Sequence, residues 1–218
     1  MQTDAMGRMV HGAVFRTFAQ RDVEEFANYS KIPTINALTD EEHPCQALAD
    51  MLTVREHWGN CRGRTIAFIG DGNNTATSLV HAALMLGINV RLATPAGYEL
   101  PSRIVDDAMR AARDGGLIRQ FHDPREAVAG ADAVYTDVWT SMGQEADAAT
   151  RNLVFQPYQV HGKLMDGALP GALFMHCLPA HRGEEVTADV FESPVSVVFD
   201  QAENRLHTQK ALLLMLLS

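Results

Sequence analysis

Thr65-Ile66-Ala67-Phe68-Ile69-Gly70-Asp71-Gly72-Asn73-Asn74 reads as a buried strand running into a tight turn. Five residues rich in β-branched and aromatic side chains, stopped by glycine, fit a strand covered on both faces. A helical period follows from Thr77 to Leu86, then a second strand over Ile88–Ala93 and a helix from Ser102 to Arg113. The alternation continues with a strand at Leu117–Phe121, a short helix from Pro124 to Ala129 and a strand over Ala131–Thr136. Beyond a long loop come a helical stretch around Tyr158–Met165, a strand ending at Met175, a helix near Thr187–Phe191 and a last strand at Val195–Phe199. Strands alternating with helices predict an α/β fold with a doubly wound parallel sheet. We assign residues 59–200 to it.

Upstream, Gly12–Arg16 and Ile32–Asn36 suggest two short strands separated by a helix from Arg21 to Tyr29. Pro44 fits the first turn of a helix that keeps its period through about His57. Gly59 and Gly63 interrupt that period, so residues 1–58 read as a separate unit. Downstream, a final helix runs from about Ala202. Its Ala211–Leu217 end is too short to span a bilayer, which takes about 20 residues, and is expected to pack on its own protein.

Chemistry-bearing residues gather where strands end. Phe174-Met175-His176-Cys177-Leu178-Pro179-Ala180-His181-Arg182-Gly183-Glu184-Glu185 places a thiol, two imidazoles, a guanidinium and two carboxylates directly after an apolar run. In open parallel sheets, ligands bind beyond the carboxyl ends of strands. Cys177 alone would pass for a small buried hydrophobe; the density of polar neighbours argues for a site. A zinc centre does not fit, since no CxxC pair is present. Gly70-x-Gly72-x-x-Thr75 falls one glycine short of a dinucleotide fingerprint, and Ala93-Thr94-Pro95 offers no ribose-binding acid. A nicotinamide dehydrogenase is therefore disfavoured. Asn74 can shape its turn or face a ligand, and Asp137 can cap a helix or pair with an ammonium group.

Composition sets the outer limits. The 218 residues, 46% apolar and 21% charged, suit a globular chain with a sizeable core. A formal charge of −9 argues against nucleic-acid binding. Three cysteines make no disulfide framework, and the first residues show no secretory pattern, so a cytoplasmic protein free of the membrane is expected.

His176-Cys177-Leu178-Pro179-Ala180-His181-Arg182-Gly183-Glu184-Glu185-Val186 resembles the signature of ornithine carbamoyltransferases, in the aspartate/ornithine carbamoyltransferase family. Four further motifs agree in the family's order: Phe15-Arg16-Thr17-Phe18, His43-Pro44-Cys45-Gln46, Asp137-Val138-Trp139-Thr140-Ser141-Met142-Gly143 and Glu203-Asn204-Arg205. The resemblance implies transfer of the carbamoyl group of carbamoyl phosphate to the side-chain amine of L-ornithine, giving L-citrulline and phosphate. It implies that Asn74, Asp137, Ser141 and Met142 bind ornithine. It also implies that Arg16, His43, Gln46, Cys177, Leu178 and Arg205 contact carbamoyl phosphate, with Cys177 catalytic beside the attacking amine. No metal or cofactor is implied; a homotrimer or a higher oligomer of trimers is.

The same resemblance divides the chain into part of a carbamoyl phosphate-binding domain (1–58), an ornithine-binding domain (59–200) and a helix returning to the first (201–218). The family's Ser-Thr-Arg-Thr phosphate loop does not occur in these 218 residues. The expectation is a truncated chain with little or no transfer activity. The alternative is a non-catalytic ornithine-binding or assembly module of the same family.

Overall fold

The computed structural model describes residues 5–141, 143 and 145–218. The alternation downstream of residue 60 builds one parallel sheet of five strands. These are β3 (Thr65–Ile69), β4 (Asn89–Ala93), β5 (Ile118–Phe121), β6 (Ala133–Thr136) and β7 (Leu173–His176), ordered β5-β4-β3-β6-β7. The chain leaves β3 toward one edge, then returns across it to build the other. The order therefore reverses between β3 and β6, and the loops leaving these two strands diverge around a crevice at their carboxyl ends.

Helices cover both faces, and the strand period of two assigns each side chain to one of them. Ile66 and Phe68 of β3 join a core with Val90 and Leu92 of β4, Tyr135 of β6 and Met175 of β7. That face is covered by α3 (Asn74–Met85) and α4 (Ser102–Ala111). Ala67, Ile69, Val134 and Phe174 point the other way, into a second core with α5 (Pro124–Val128), α7 (Gly162–Met165) and α8 (Ala188–Phe191). The sheet is doubly wound, as expected.

Ahead of it, β1 (Ala13–Arg16) and β2 (Thr34–Leu38) form a two-stranded parallel sheet, with α1 (Gln20–Ser30) between them in sequence. Next, α2 (Pro44–Trp58) packs against α3, and α9 (Val198–Leu217) lies back along α2.

Four expectations fail locally. Val195–Phe199 is not a strand. It exchanges two backbone hydrogen bonds with Phe174 of β7 (2.9 and 3.0 Å), after which the chain turns into α9 at Val198. A five-residue apolar run suits either structure, and here Val197 and Val198 fill opposite cores. The stretch after β6 contains a helix, α6 (Ala148–Phe155), where a loop was expected. The helix expected around Tyr158–Met165 is broken: a 3-10 turn at Gln156–Tyr158 precedes α7, and Val160 bridges to Val186. Finally, the end of α9 is helical but not packed, since Leu214 is 61% and Met215 80% exposed.

Candidate functional site

Strand register alone brings Asp137 and Cys177 together. Thr136 of β6 pairs with His176 of β7, so the next residues leave adjacent strand ends side by side. Parity then sends Asp137 and Cys177 to the face of Tyr135 and Met175, and His176 to the other face. The Cys177 thiol donates to Asp137 Oδ1 at 2.8 Å. Burial, then the Asp137 charge, pushes the thiol pKa well above its usual value. Cys177 is therefore a protonated donor rather than a thiolate nucleophile.

Asp137 is 7% exposed and held from three directions. Besides the thiol, Val138 N–H donates to Oδ1 at 2.8 Å and the Asn73 amide to Oδ2 at 2.9 Å. Asn73 also caps α3, its side-chain oxygen accepting from Ala76 N–H at 3.1 Å. A carboxylate offers roughly four acceptor sites, so one remains for an amine in the cavity.

His176 is fully buried and serves the loop instead. Leu178 N–H donates to its Nδ1 (2.9 Å), which fixes the proton on Nε2, facing Glu185 Oε1 at 3.1 Å. The same carboxylate oxygen accepts from His181 N–H at 2.6 Å. This places Leu178 on the cavity wall, with its N–H already engaged. Asp137, His176 and Cys177 lie close enough to hold a metal ion. Both ring nitrogens of His176 are already committed, however, so the trio does not fit one.

The opposite wall is basic. Arg16, at the end of β1, His43, capping α2, and Arg205, on α9, face the same cavity of about 910 Å³ as Asp137, Ser141 and Cys177. His43 is pinned through its backbone N–H, which donates to Ser78 Oγ of α3 at 2.8 Å. Burial, then the Arg205 charge, lowers its pKa to about 4, so its ring is neutral near pH 7. His43 Nδ1 and Arg205 Nε are buried with no hydrogen-bond partner among the described residues. Each such group costs about 1–3 kcal/mol, a cost that a ligand in the cavity would remove.

Two expected contacts are arranged differently. Gln46 does not line the cavity. It is 1% exposed, donates to Asp50 Oδ1 at 2.8 Å and accepts from Arg205 Nη1 at 2.7 Å. Asn74 does line it, but donates to the Thr39 carbonyl (2.7 Å) and accepts from Thr75 N–H (2.9 Å), joining the rim of the sheet to the loop after β2. Met142 lies outside the described residues.

Sequence reasoning missed two supports. Arg151 is 7% exposed, pairs with Asp71, donates to the Trp139 carbonyl and lies over the rings of Tyr98 and Phe155 at 5.2 and 5.0 Å. It holds the start of the loop that carries Ser141. Gly72 serves packing rather than phosphate binding: a Cβ there would meet Leu100 N at 2.6 Å and the Tyr98 carbonyl at 2.7 Å.

Comparison with known proteins bears on the whole chain. The family model of the aspartate/ornithine carbamoyltransferase carbamoyl-P binding domain matches residues 2–56, and that of the Asp/Orn binding domain residues 62–216. The anabolic ornithine carbamoyltransferase of Pseudomonas aeruginosa is 54% identical over 212 residues, which are 97% of this chain and 68% of that protein. The ornithine carbamoyltransferase of Carboxydothermus hydrogenoformans is 53% identical over 213 residues, again 97% of this chain and 68% of the relative. The structure of ornithine carbamoyltransferase from Pyrococcus furiosus superimposes with a TM-score of 0.95 at 50% identity, over 99% of this chain and 69% of that one. Fold, domain pair and sequence agree: this chain belongs to the aspartate/ornithine carbamoyltransferase family.

Proposed function

We propose that the protein is an ornithine carbamoyltransferase, moving the carbamoyl group of carbamoyl phosphate to the side-chain amine of L-ornithine to give L-citrulline and phosphate. One observation carries this reading: a single cavity has a basic wall with an unpartnered His43 nitrogen and Arg205 Nε, facing a wall built on Asp137 and Cys177. An anionic acyl donor and a cationic amine acceptor fit these two walls.

Residues 1–58 and the returning helix 201–218 then hold carbamoyl phosphate, and residues 59–200 hold ornithine. Arg16 and Arg205 bind phosphate oxygens, Arg205 being oriented by Gln46. Neutral His43 donates a hydrogen bond to the carbamoyl oxygen, stabilising the charge that grows there during attack. The vacant acceptor site of Asp137 takes an N–H of the ornithine amine. Cys177 holds Asp137 in place and lies beside the reacting atoms, with the Leu178 carbonyl as a neighbouring acceptor. Ser141, Met142 and Asn74 complete the ornithine side.

The deprotonated amine attacks the carbamoyl carbon, the C–O bond to phosphate breaks, and phosphate leaves with the electron pair and takes up the proton that the amine nitrogen loses. Proximity of two bound substrates supplies much of the rate. The protein works in the cytoplasm as a homotrimer in this reading; its three cysteines are free, and no helix among the described residues is long and apolar enough to cross a membrane.

The test is citrulline formation by the purified chain, with Cys177→Ala/Arg205→Ala as the control for host enzyme. Citrulline made by the wild type, even at the low rate expected of a chain without the Ser-Thr-Arg-Thr loop, and lost in the double variant supports the reading. Ornithine binding without detectable carbamoyl phosphate binding or citrulline would contradict it and favour a binding module.

A further inference from the structure

Asp50 takes no part in the site as described, yet it lies where four elements meet. It sits on α2, fully buried, and its carboxylate accepts three hydrogen bonds. Gln46 Nε2 of α2 reaches Oδ1 at 2.8 Å, Gln201 Nε2 of α9 reaches Oδ1 at 2.6 Å, and the Tyr135 hydroxyl of β6 reaches Oδ2 at 3.1 Å. No cation is in hydrogen-bond contact with it among the described residues. Gln201 Nε2 also donates to the Tyr135 hydroxyl oxygen at 3.0 Å.

The consequence lies in the two amides. Asp50 Oδ1 accepts from both amides, and a proton on the acid would sit on Oδ2 beside the Tyr135 hydroxyl, so both glutamines must turn their NH2 groups toward Oδ1 in either form. Their oxygens then point outward. Gln46 Oε1 accepts from Arg205 Nη1 at 2.7 Å, and Gln201 Oε1 accepts from the backbone N–H of His176 at 3.0 Å. Arg205 and a backbone N–H are donors only, so either glutamine flipped would set oxygen against carboxylate and NH2 against a donor. One buried acceptor therefore fixes the orientation of both.

We propose that Asp50 is a positioning residue that sets both walls of the cleft at once, holding Arg205 through Gln46 and the end of β7 that bears Cys177 through Gln201. The proposal rests on the reading of Arg205 and Cys177 as parts of one active site. It goes beyond that reading by making the two walls depend on one carboxylate that touches neither substrate. Tyr135 joins the same carboxylate from β6, two residues before Asp137.

The experiment is NMR of the full chain, following the His176 backbone amide and Arg205 Nε–H, together with calorimetric titration of carbamoyl phosphate. Asp50→Leu, similar in size with no acceptor, is expected to shift both resonances and weaken carbamoyl phosphate binding at least tenfold. Asp50→Asn, which can keep an oxygen toward the glutamines, should stay within about threefold of wild type. The arms are separable: Gln46→Met should move only Arg205 and the affinity, and Gln201→Met only the His176 amide. These two variants carry the test if Asp50→Leu fails to fold.

Folded Asp50→Leu with unchanged resonances and affinity would overturn the proposal. So would single-arm variants that move both signals equally. The resonances are read without ligand, so a wrong assignment of function would leave them as predicted and remove only the carbamoyl phosphate binding.

Discussion

A carboxylate held by a thiol, an amide and a backbone N–H is specific about what it still accepts, and in the proposed function Asp137 is the residue on which substrate choice turns. Asp137→Asn is expected to weaken ornithine binding by about 2–5 kcal/mol, the cost of leaving a charged partner unpaired. Carbamoyl phosphate binding should stay close to wild type; calorimetry of the two ligands separates these outcomes. The strand-end positions of Asp137 and Cys177 were legible in the sequence, because polar residues directly after apolar strands fall at one rim of a parallel sheet. What held them was not. Of the adjacent pair the motif singles out Asn74, yet it is Asn73 that donates to Asp137, across 64 residues. Gln46 reads as a ligand contact in its motif, and its buried link to Arg205 was not legible there.

Among the elements, the turn after β3 shows what an incomplete motif is for. Its glycines fall short of a dinucleotide fingerprint, and Gly72 makes room for the backbone of Tyr98–Leu100. Gly72→Ala places a methyl group against rigid backbone, and overpacking of this kind costs about 1–3 kcal/mol or more. The expected result is a lower urea midpoint for the variant, whereas unchanged stability would mean that the loop shifts freely. Periodicity located the five strands of the main sheet because each alternates between two cores. It failed at Val195–Phe199, where a short apolar run feeds both cores and suits a helix start equally well. It also missed α6, whose Arg151 packs inward on Asp71 and two aromatic rings, a contact spanning 80 residues that no local pattern encodes.

At the scale of the whole molecule, two buried groups give stability opposing pH dependences. Burial raises the Asp50 carboxyl to about 7, so between about pH 4 and 7 the folded chain keeps a proton that the unfolded chain has released. Its contribution to stability therefore falls as pH rises through that window. His43, lowered to about 4, binds fewer protons folded than unfolded between about pH 4 and 6.5, and stability rises with pH there. The two slopes oppose each other up to about pH 6.5, above which the Asp50 slope stands alone. Urea unfolding should show Asp50→Asn gaining on wild type by on the order of 3–4 kcal/mol between pH 4 and 8. A pH-independent difference would mean that Asp50 is not perturbed.

The return of α9 onto α2 came only through the family resemblance, because it depends on pairings such as Asn204 with Thr53, 151 residues apart. The claim joining all scales is that one cleft has two chemically distinct walls, and crossed calorimetric titration of the purified chain tests it most directly. Carbamoyl phosphate and L-ornithine are titrated into wild type, Asp137→Asn and Arg205→Ala. The account predicts that Asp137→Asn loses ornithine binding alone and Arg205→Ala loses carbamoyl phosphate binding alone; equal loss of both ligands in each variant, or of neither, would contradict it.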